Sequence, residues 1–178
     1  MWVFGYGSLM WDRWGEAKGC IRSTKAELRG YRRVFNKASV RNWGTEKFPC
    51  PTLNLVQSES SWCRGIAFEF HDSRAREIKQ YLIEREGKGF TLRELPAQLD
   101  QGDQITAIVP IYGGGNLIHE ASVTDVVNMV LQAKGRDGSC VRYVKSIAEA
   151  LRGLEIDDPA VIELWHALSQ SGREPRMP

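Results

Sequence analysis

Trp2-Val3-Phe4-Gly5-Tyr6-Gly7-Ser8-Leu9-Met10-Trp11 opens the chain with a short aromatic run punctuated by glycine. The run is apolar and too short for a helix. Met1–Tyr6 is therefore read as a buried strand and Gly7–Trp11 as the loop after it. Glycine lets the backbone bend sharply and approach a ligand closely. Successive N–H groups in such a bend make a nest for a carboxylate or phosphate, and Ser8 adds a hydroxyl donor. A dinucleotide fingerprint is the competing reading, and Met10 in place of a third glycine, with no convincing helix after it, argues against it. Taken alone, the two glycines are equally consistent with a tight turn.

Strand patterns continue to Phe70. Ala26–Ala38 reads as one strand or two, with Tyr31, Val34 and Phe35 apolar among arginines. Arg41–Pro51 holds Asn42, Gly44, Pro49 and Pro51 and reads as loop. Thr52–Val56 alternates as a strand, Ser58–Ser61 reads as a turn, and Cys63–Phe70 as another strand. A helix is expected from near Arg74, capped by Asp72 or Ser73. Ala75, Ile78, Leu82 and Ile83 recur in it at helical spacing, and Gly87 stops it. Phe90–Leu95 and Gln104–Tyr112 read as strands, with a turn at Gly113–Asn116. Ser122 or Thr124 caps a helix through Val126, Val127, Met129, Val130 and Leu131 to Gly135. Another helix covers about Val141–Leu151. The last follows Asp157-Asp158-Pro159, with proline at its first position, and ends near Ser169.

Strands and helices do not alternate regularly, which argues against a doubly wound sheet and for an α+β domain on a mixed or barrel-like sheet. At 178 residues the chain has the size of one domain. Residues 1–172 are expected to form it, with 173–178 a frayed tail.

Composition narrows the function classes. A net charge of +2 is too mild for a nucleic-acid partner, which calls for a clustered basic face. Arg29, Arg32 and Arg33, flanked by Lys25 and Lys37, read as a solvated strand and turn, with an anion site as the sharper alternative. Cys20, Cys50, Cys63 and Cys140 include no Cys-x-x-Cys pair and no histidine at metal spacing, so they read as reduced thiols. His71, His119 and His166 are scattered and read as surface or packing residues. No metal and no cofactor is expected. No apolar run approaches the ~20 residues of a membrane-spanning helix. The N-terminus lacks a basic region and a small-residue cleavage site, and the cytoplasm is the expected location.

Tyr81-Leu82-Ile83-Glu84-Arg85-Glu86-Gly87-Lys88-Gly89-Phe90 closes the middle helix. On its own, Glu86 reads as a solvated charge or a partner of Arg85 or Lys88. It opposes the helix dipole, however, and a partly buried carboxylate at a negative helix end has its pKa pushed up. That suits a general base. Glu84 faces elsewhere on the helix and is not a candidate.

The ten residues from Trp2 to Trp11 resemble the opening motif of the ChaC branch of the γ-glutamylcyclotransferases. Tyr81–Phe90 resembles that family's second motif, with Gly-Lys-Gly here where relatives often have Lys-Gly-Gly. The resemblance implies that Tyr6, Gly7, Ser8 and Leu9 hold the γ-glutamyl group and that Glu86 is the catalytic acid/base. It implies a small mixed barrel surrounded by helices, and a γ-glutamyl substrate, with glutathione the leading candidate. A third segment, Ala133–Tyr143, is similar to a family stretch in which Gly-x-x-Gly precedes an asparagine and a tyrosine. Gly135, Gly138 and Tyr143 match it, Cys140 stands in the asparagine's place, and Tyr143 is implied as a substrate contact. Lys37–Thr45 departs from the family: Ser39 matches its serine, but the histidine of the usual stretch is missing. Reaction class is therefore firmer than substrate, and other γ-glutamyl peptides or amines stay open. A non-catalytic ligand-binding protein of the same fold is the reading from another class.

Overall fold

The computed structural model describes residues 1–171. The expected frayed tail at 173–178 lies outside them. The described chain is α+β. Strands β1 (Trp2–Gly5), β2 (Arg22–Ser39), β3 (Cys50–Glu69), β4 (Phe90–Leu99) and β5 (Gln104–Tyr112) close a barrel in the order β1-β3-β2-β4-β5. Only the β1–β5 seam is parallel among the registered pairs; β1–β3, β2–β4 and β4–β5 are antiparallel. The mixed barrel and the α+β class are as expected. Among the described residues the α-helices are α1 (Trp14–Ala17), α2 (Ala75–Glu86), α3 (Val123–Gln132), α4 (Cys140–Gly153) and α5 (Pro159–Gln170).

The described chain divides into two compact units: Met1–Arg33 with Leu55–Gly115, and Val34–Asn54 with Asn116 onward. Strands β2 and β3 each run from one unit into the other. In the first unit, Val3 of β1, Phe68 of β3 and Ile108 of β5 share a buried cluster with Ile78 and Leu82 of α2. Leu9, from the loop after β1, belongs to the same cluster. That anchors the loop in the core, while a Cβ built on its neighbour Gly7 would meet nothing within 4 Å. In the second unit, α3, α4 and α5 pack on one another. Cys140, Tyr143, Val144, Ile147 and Leu151 form the buried stripe of α4, the helical spacing of an amphipathic helix.

Several expectations need correction. Ser58–Ser61 is not a turn, because β3 runs through it without a break. Serines suggest a turn by composition, but the stretch holds no glycine or proline. Neither Asp72 nor Ser73 caps α2. Asp72 instead pairs with the N-terminal ammonium at 2.6 Å, and a 3-10 turn at Asp72–Arg74 leads into the helix. Its end at Gly87 is as read, with φ +78°, where a side chain would be strained. Ser122 caps α3 through a reciprocal bond with Asp125, but the helix stops at Gln132 rather than Gly135. Ala133 is extended, and Lys134–Gly135 pairs with Gly138–Ser139 as a small hairpin. Asp158 caps α5, with Pro159 following it.

Two side-chain readings also fail. Arg33 is not a surface cation. Its exposure is 2%, and it donates to the carbonyls of Tyr6 and Arg64. A side chain on an inward strand position is set by the barrel's alternation, which the adjacent Arg32 obscured. Cys50 and Cys140 are not thiols but a disulfide, with Cα atoms 5.5 Å apart. Residues ninety apart give no local spacing from which to read a pair. Cys20 and Cys63 take no part in a disulfide.

Candidate active site

The first unit builds the loop before the chemistry. After β1, Ser8–Met10 makes one turn of 3-10 helix, closed by Met10 N–H to the Gly7 carbonyl at 2.9 Å. The first N–H groups of such a turn point away from it and have no partner within it. Three contacts fix the loop from outside. Tyr6 donates its hydroxyl to the Pro110 carbonyl at 2.8 Å, the Tyr6 carbonyl accepts from Arg33 Nε at 2.8 Å, and the Leu9 carbonyl accepts from Trp14 Nε1 at 3.0 Å. The Tyr6 and Leu9 side chains are buried, so backbone groups and the Ser8 hydroxyl are what this stretch presents.

Helix α2 brings the glutamate. Its buried face carries Ile78 and Leu82, which leaves the last turn, Arg85 and Glu86, at the helix end. The Glu86 side chain is 17% exposed, which places its carboxylate largely out of water. Arg85 Nε lies 3.6 Å from Glu86 Oε1. Glu84 is exposed and accepts from Gln80 at 2.8 Å.

Arg85 joins the two motifs. One guanidinium nitrogen donates to Ser8 Oγ at 3.2 Å and pairs with Asp12; the other terminal nitrogen donates to the Tyr81 hydroxyl at 3.1 Å. Burial pulls the Arg85 pKa down, but the Tyr81 hydroxyl and the carboxylates of Asp12 and Glu86 outweigh it and raise the pKa overall. Glu86 and Ser8, distant in sequence, thus meet a common cation. Sequence reading named Arg85 only as one partner open to Glu86, a pairing the structure contains, and missed its link to Ser8 and Asp12 altogether: an aspartate in a loop carries no signal of its own.

In the second unit, Ser39 and Tyr143 meet the same residue. Ser39 Oγ accepts from the Trp43 N–H at 3.4 Å, and the Trp43 ring lies 5.3 Å from that of Tyr143. Tyr143 is buried, and its hydroxyl accepts from the Leu53 N–H at 3.0 Å. The hairpin glycines have a physical reason. A Cβ at Gly135 would lie 2.5 Å from the Asn42 carbonyl oxygen, and Arg136 and Asp137 N–H groups donate to the carbonyls of Arg41 and Asn42. The hairpin therefore holds the 41–44 stretch. Asn36 Oδ1 is a buried acceptor with no hydrogen-bond partner among the described residues.

A family model described as ChaC-like protein matches residues 1–171. This chain belongs to the ChaC-like family. It is 28% identical to Gamma-glutamylcyclotransferase 2-3 of Arabidopsis thaliana, over 96% of this chain and 92% of that protein. It is 29% identical to Glutathione-specific gamma-glutamylcyclotransferase 1 of Danio rerio, over 94% of this chain and 88% of that one. Among solved structures, the yeast γ-glutamyl cyclotransferase specific to glutathione superposes with a TM-score of 0.84, at 18% identity and 96% coverage of both chains. That likeness supports the fold. No helix among the described residues is long and apolar enough to cross a membrane.

Proposed function

We propose that this ChaC-like protein is a γ-glutamylcyclotransferase that converts glutathione to 5-oxoproline and Cys-Gly. The observation that carries the reading is Glu86, largely withdrawn from water at the end of α2 and tied through Arg85 to Ser8 of the glycine loop. The relatives named above support the substrate.

The chemistry needs no outside nucleophile. In a γ-glutamyl amide the α-amine reaches its own γ-carbonyl and closes a five-membered ring. A new C–N bond forms, the amide C–N bond to cysteine breaks, and no water is consumed. The loop holds the γ-glutamyl group folded, so that amine and carbonyl meet, which is the proximity contribution. Glu86 takes a proton from the attacking amine and returns it to the leaving nitrogen. The N–H groups of Gly7 to Leu9 serve as donors to the oxyanion of the tetrahedral intermediate. Tyr6 contributes through its backbone. Ser39 and Tyr143, held beside Trp43, are assigned to substrate as well, Tyr143 through its hydroxyl proton.

The two units act as one domain in this reading. A single family match through both, and strands β2 and β3 continuing from one to the other, support it. The partner is a small γ-glutamyl molecule, and the cytoplasm is its proposed site of action.

The missing histidine near Ser39 favours one competing reading, the same cyclisation on a different γ-glutamyl compound. Purified protein incubated with glutathione, γ-glutamyl-alanine and a γ-glutamyl amine, with 5-oxoproline quantified, tests both. Release from glutathione at the highest kcat/KM is expected. Release only from another substrate moves the specificity, and release from none removes the activity.

A further inference from the structure

Arg85 contacts four groups from two segments, Ser8, Asp12, Tyr81 and Glu86, and the cyclisation as described leaves Asp12, Tyr81 and the Ser8 hydroxyl without a role. The contact with Ser8 has a chemical consequence. Because Ser8 Oγ accepts from Arg85 at 3.2 Å, the hydroxyl proton is turned away from the guanidinium. Ser8 thereby keeps its proton for another acceptor, which a ligand lying over the loop would supply. Over Gly7 there is open space, since a Cβ there would meet nothing within 4 Å. A hydroxyl donor beside outward N–H groups suits an oxygen of the γ-glutamyl group.

The guanidinium is held in that position by Asp12. The two form an ion pair with side chains 18% and 33% exposed. Asp12 is itself braced, its Oδ1 accepting from the Trp14 N–H at 3.3 Å. On the helix side, Tyr81 accepts from Arg85 and stacks on Trp14 with ring centroids 5.7 Å apart. The fork is thus fixed at both ends. Without Asp12, the nearest carboxylate left to Arg85 is Glu86, 3.6 Å from Nε, and the cation would turn away from the loop toward it. A lysine cannot replace this arrangement, because it lacks the planar fork that reaches several acceptors at once.

We propose that Asp12 and Arg85 are positioning residues that act through Ser8, orienting its hydroxyl as a donor to the γ-glutamyl group. The proposal rests on the γ-glutamylcyclotransferase reading. It concerns substrate binding rather than proton transfer, so its signature is in KM. An interaction made equally with substrate and transition state raises KM when lost and leaves kcat in place. A merely structural role would lower the fraction of active protein, hence apparent kcat, without moving KM.

The experiment is a double-mutant cycle with glutathione as substrate, in Asp12→Asn, Ser8→Ala and the pair together. The expected result is a KM raised about tenfold in each single variant, and no further rise in the double variant. Arg85→Lys supplies the same cycle from the other side of the ion pair if Asp12→Asn fails to fold. Equal fold-losses from Asp12→Asn with and without Ser8, an unchanged KM, or a loss confined to kcat would each overturn the proposal. Wild-type protein that releases no 5-oxoproline overturns the activity itself, and this proposal with it. A wild type that turns over normally, with an additive cycle, overturns this proposal alone.

Discussion

The hydroxyl of Tyr143, in the first turn of α4, accepts the backbone N–H of Leu53 in β3 at 3.0 Å, across ninety residues of sequence. Both residues are buried, at 4% each. Tyr143→Phe keeps the ring beside Trp43 but strands a buried N–H. The expected cost is about 1–3 kcal/mol, read as a lower midpoint in urea unfolding, together with a raised KM for glutathione. An unchanged KM would remove Tyr143 from the substrate contacts and leave it a purely structural residue.

The disulfide between Cys50 and Cys140 ties the same two segments three residues earlier on each. Denatured protein without reductant should show two titratable thiols, from Cys20 and Cys63, and four after reduction. Closing so long a loop stabilises by about 4.6 kcal/mol in the chain-entropy model. Cys140→Ser should lower the unfolding free energy by an amount of that order. Four thiols before reduction would show the pair to be open in solution.

Arg33 offers a sharper stability test. Its guanidinium serves the carbonyls of Tyr6 and Arg64 from inside the barrel. Arg33→Ala leaves both acceptors without this donor and opens a cavity. A loss of about 3 kcal/mol is expected. Arg33→Lys should recover only part of it, because an ammonium lacks the fork. Thermal melts of the two variants decide this. Indistinguishable melts for wild type and Arg33→Ala would contradict the bracing role.

A pH effect follows from the chain's start. The N-terminal ammonium hydrogen-bonds Asp72 and attracts its charge, which holds that carboxyl below its usual range. A group whose pKa is depressed by folding adds stability above its unfolded value, about 3.9, and loses it as pH falls through the folded value. Asp72→Asn should therefore melt below wild type near neutral pH and converge with it in strong acid. A gap that persists unchanged into acid would mean the pair is not its cause.

Much of the fold was legible because local rules decided it. Gly87 ends α2, Ser122 caps α3, Pro159 opens α5, and Trp2–Gly5 forms a strand, all from signals within a few residues. What stayed hidden was non-local. Ser58–Ser61 carries turn-like composition, yet its neighbours in the sheet keep β3 extended. Arg33 looks like its exposed neighbour Arg32 until strand alternation turns it inward. Cys50 and Cys140 are adjacent only after folding.

The site shows the same division. The glycine loop and Glu86 lie in contiguous motifs and could be named by resemblance. Arg85 and Asp12 acquire meaning only when α2 is laid beside the loop. Trp43, which links Ser39 to Tyr143, sits in a stretch where the resemblance offered no match beyond Ser39.

The most direct measurement is 5-oxoproline release from glutathione by wild type and Glu86→Gln, with matched folding confirmed by thermal melts. The amide keeps the shape of the side chain but cannot take the proton. Release by wild type and a drop of about a thousandfold in kcat for the variant are predicted. A Glu86→Gln variant that turns over glutathione at the wild-type rate would contradict the account and remove Glu86 from the mechanism.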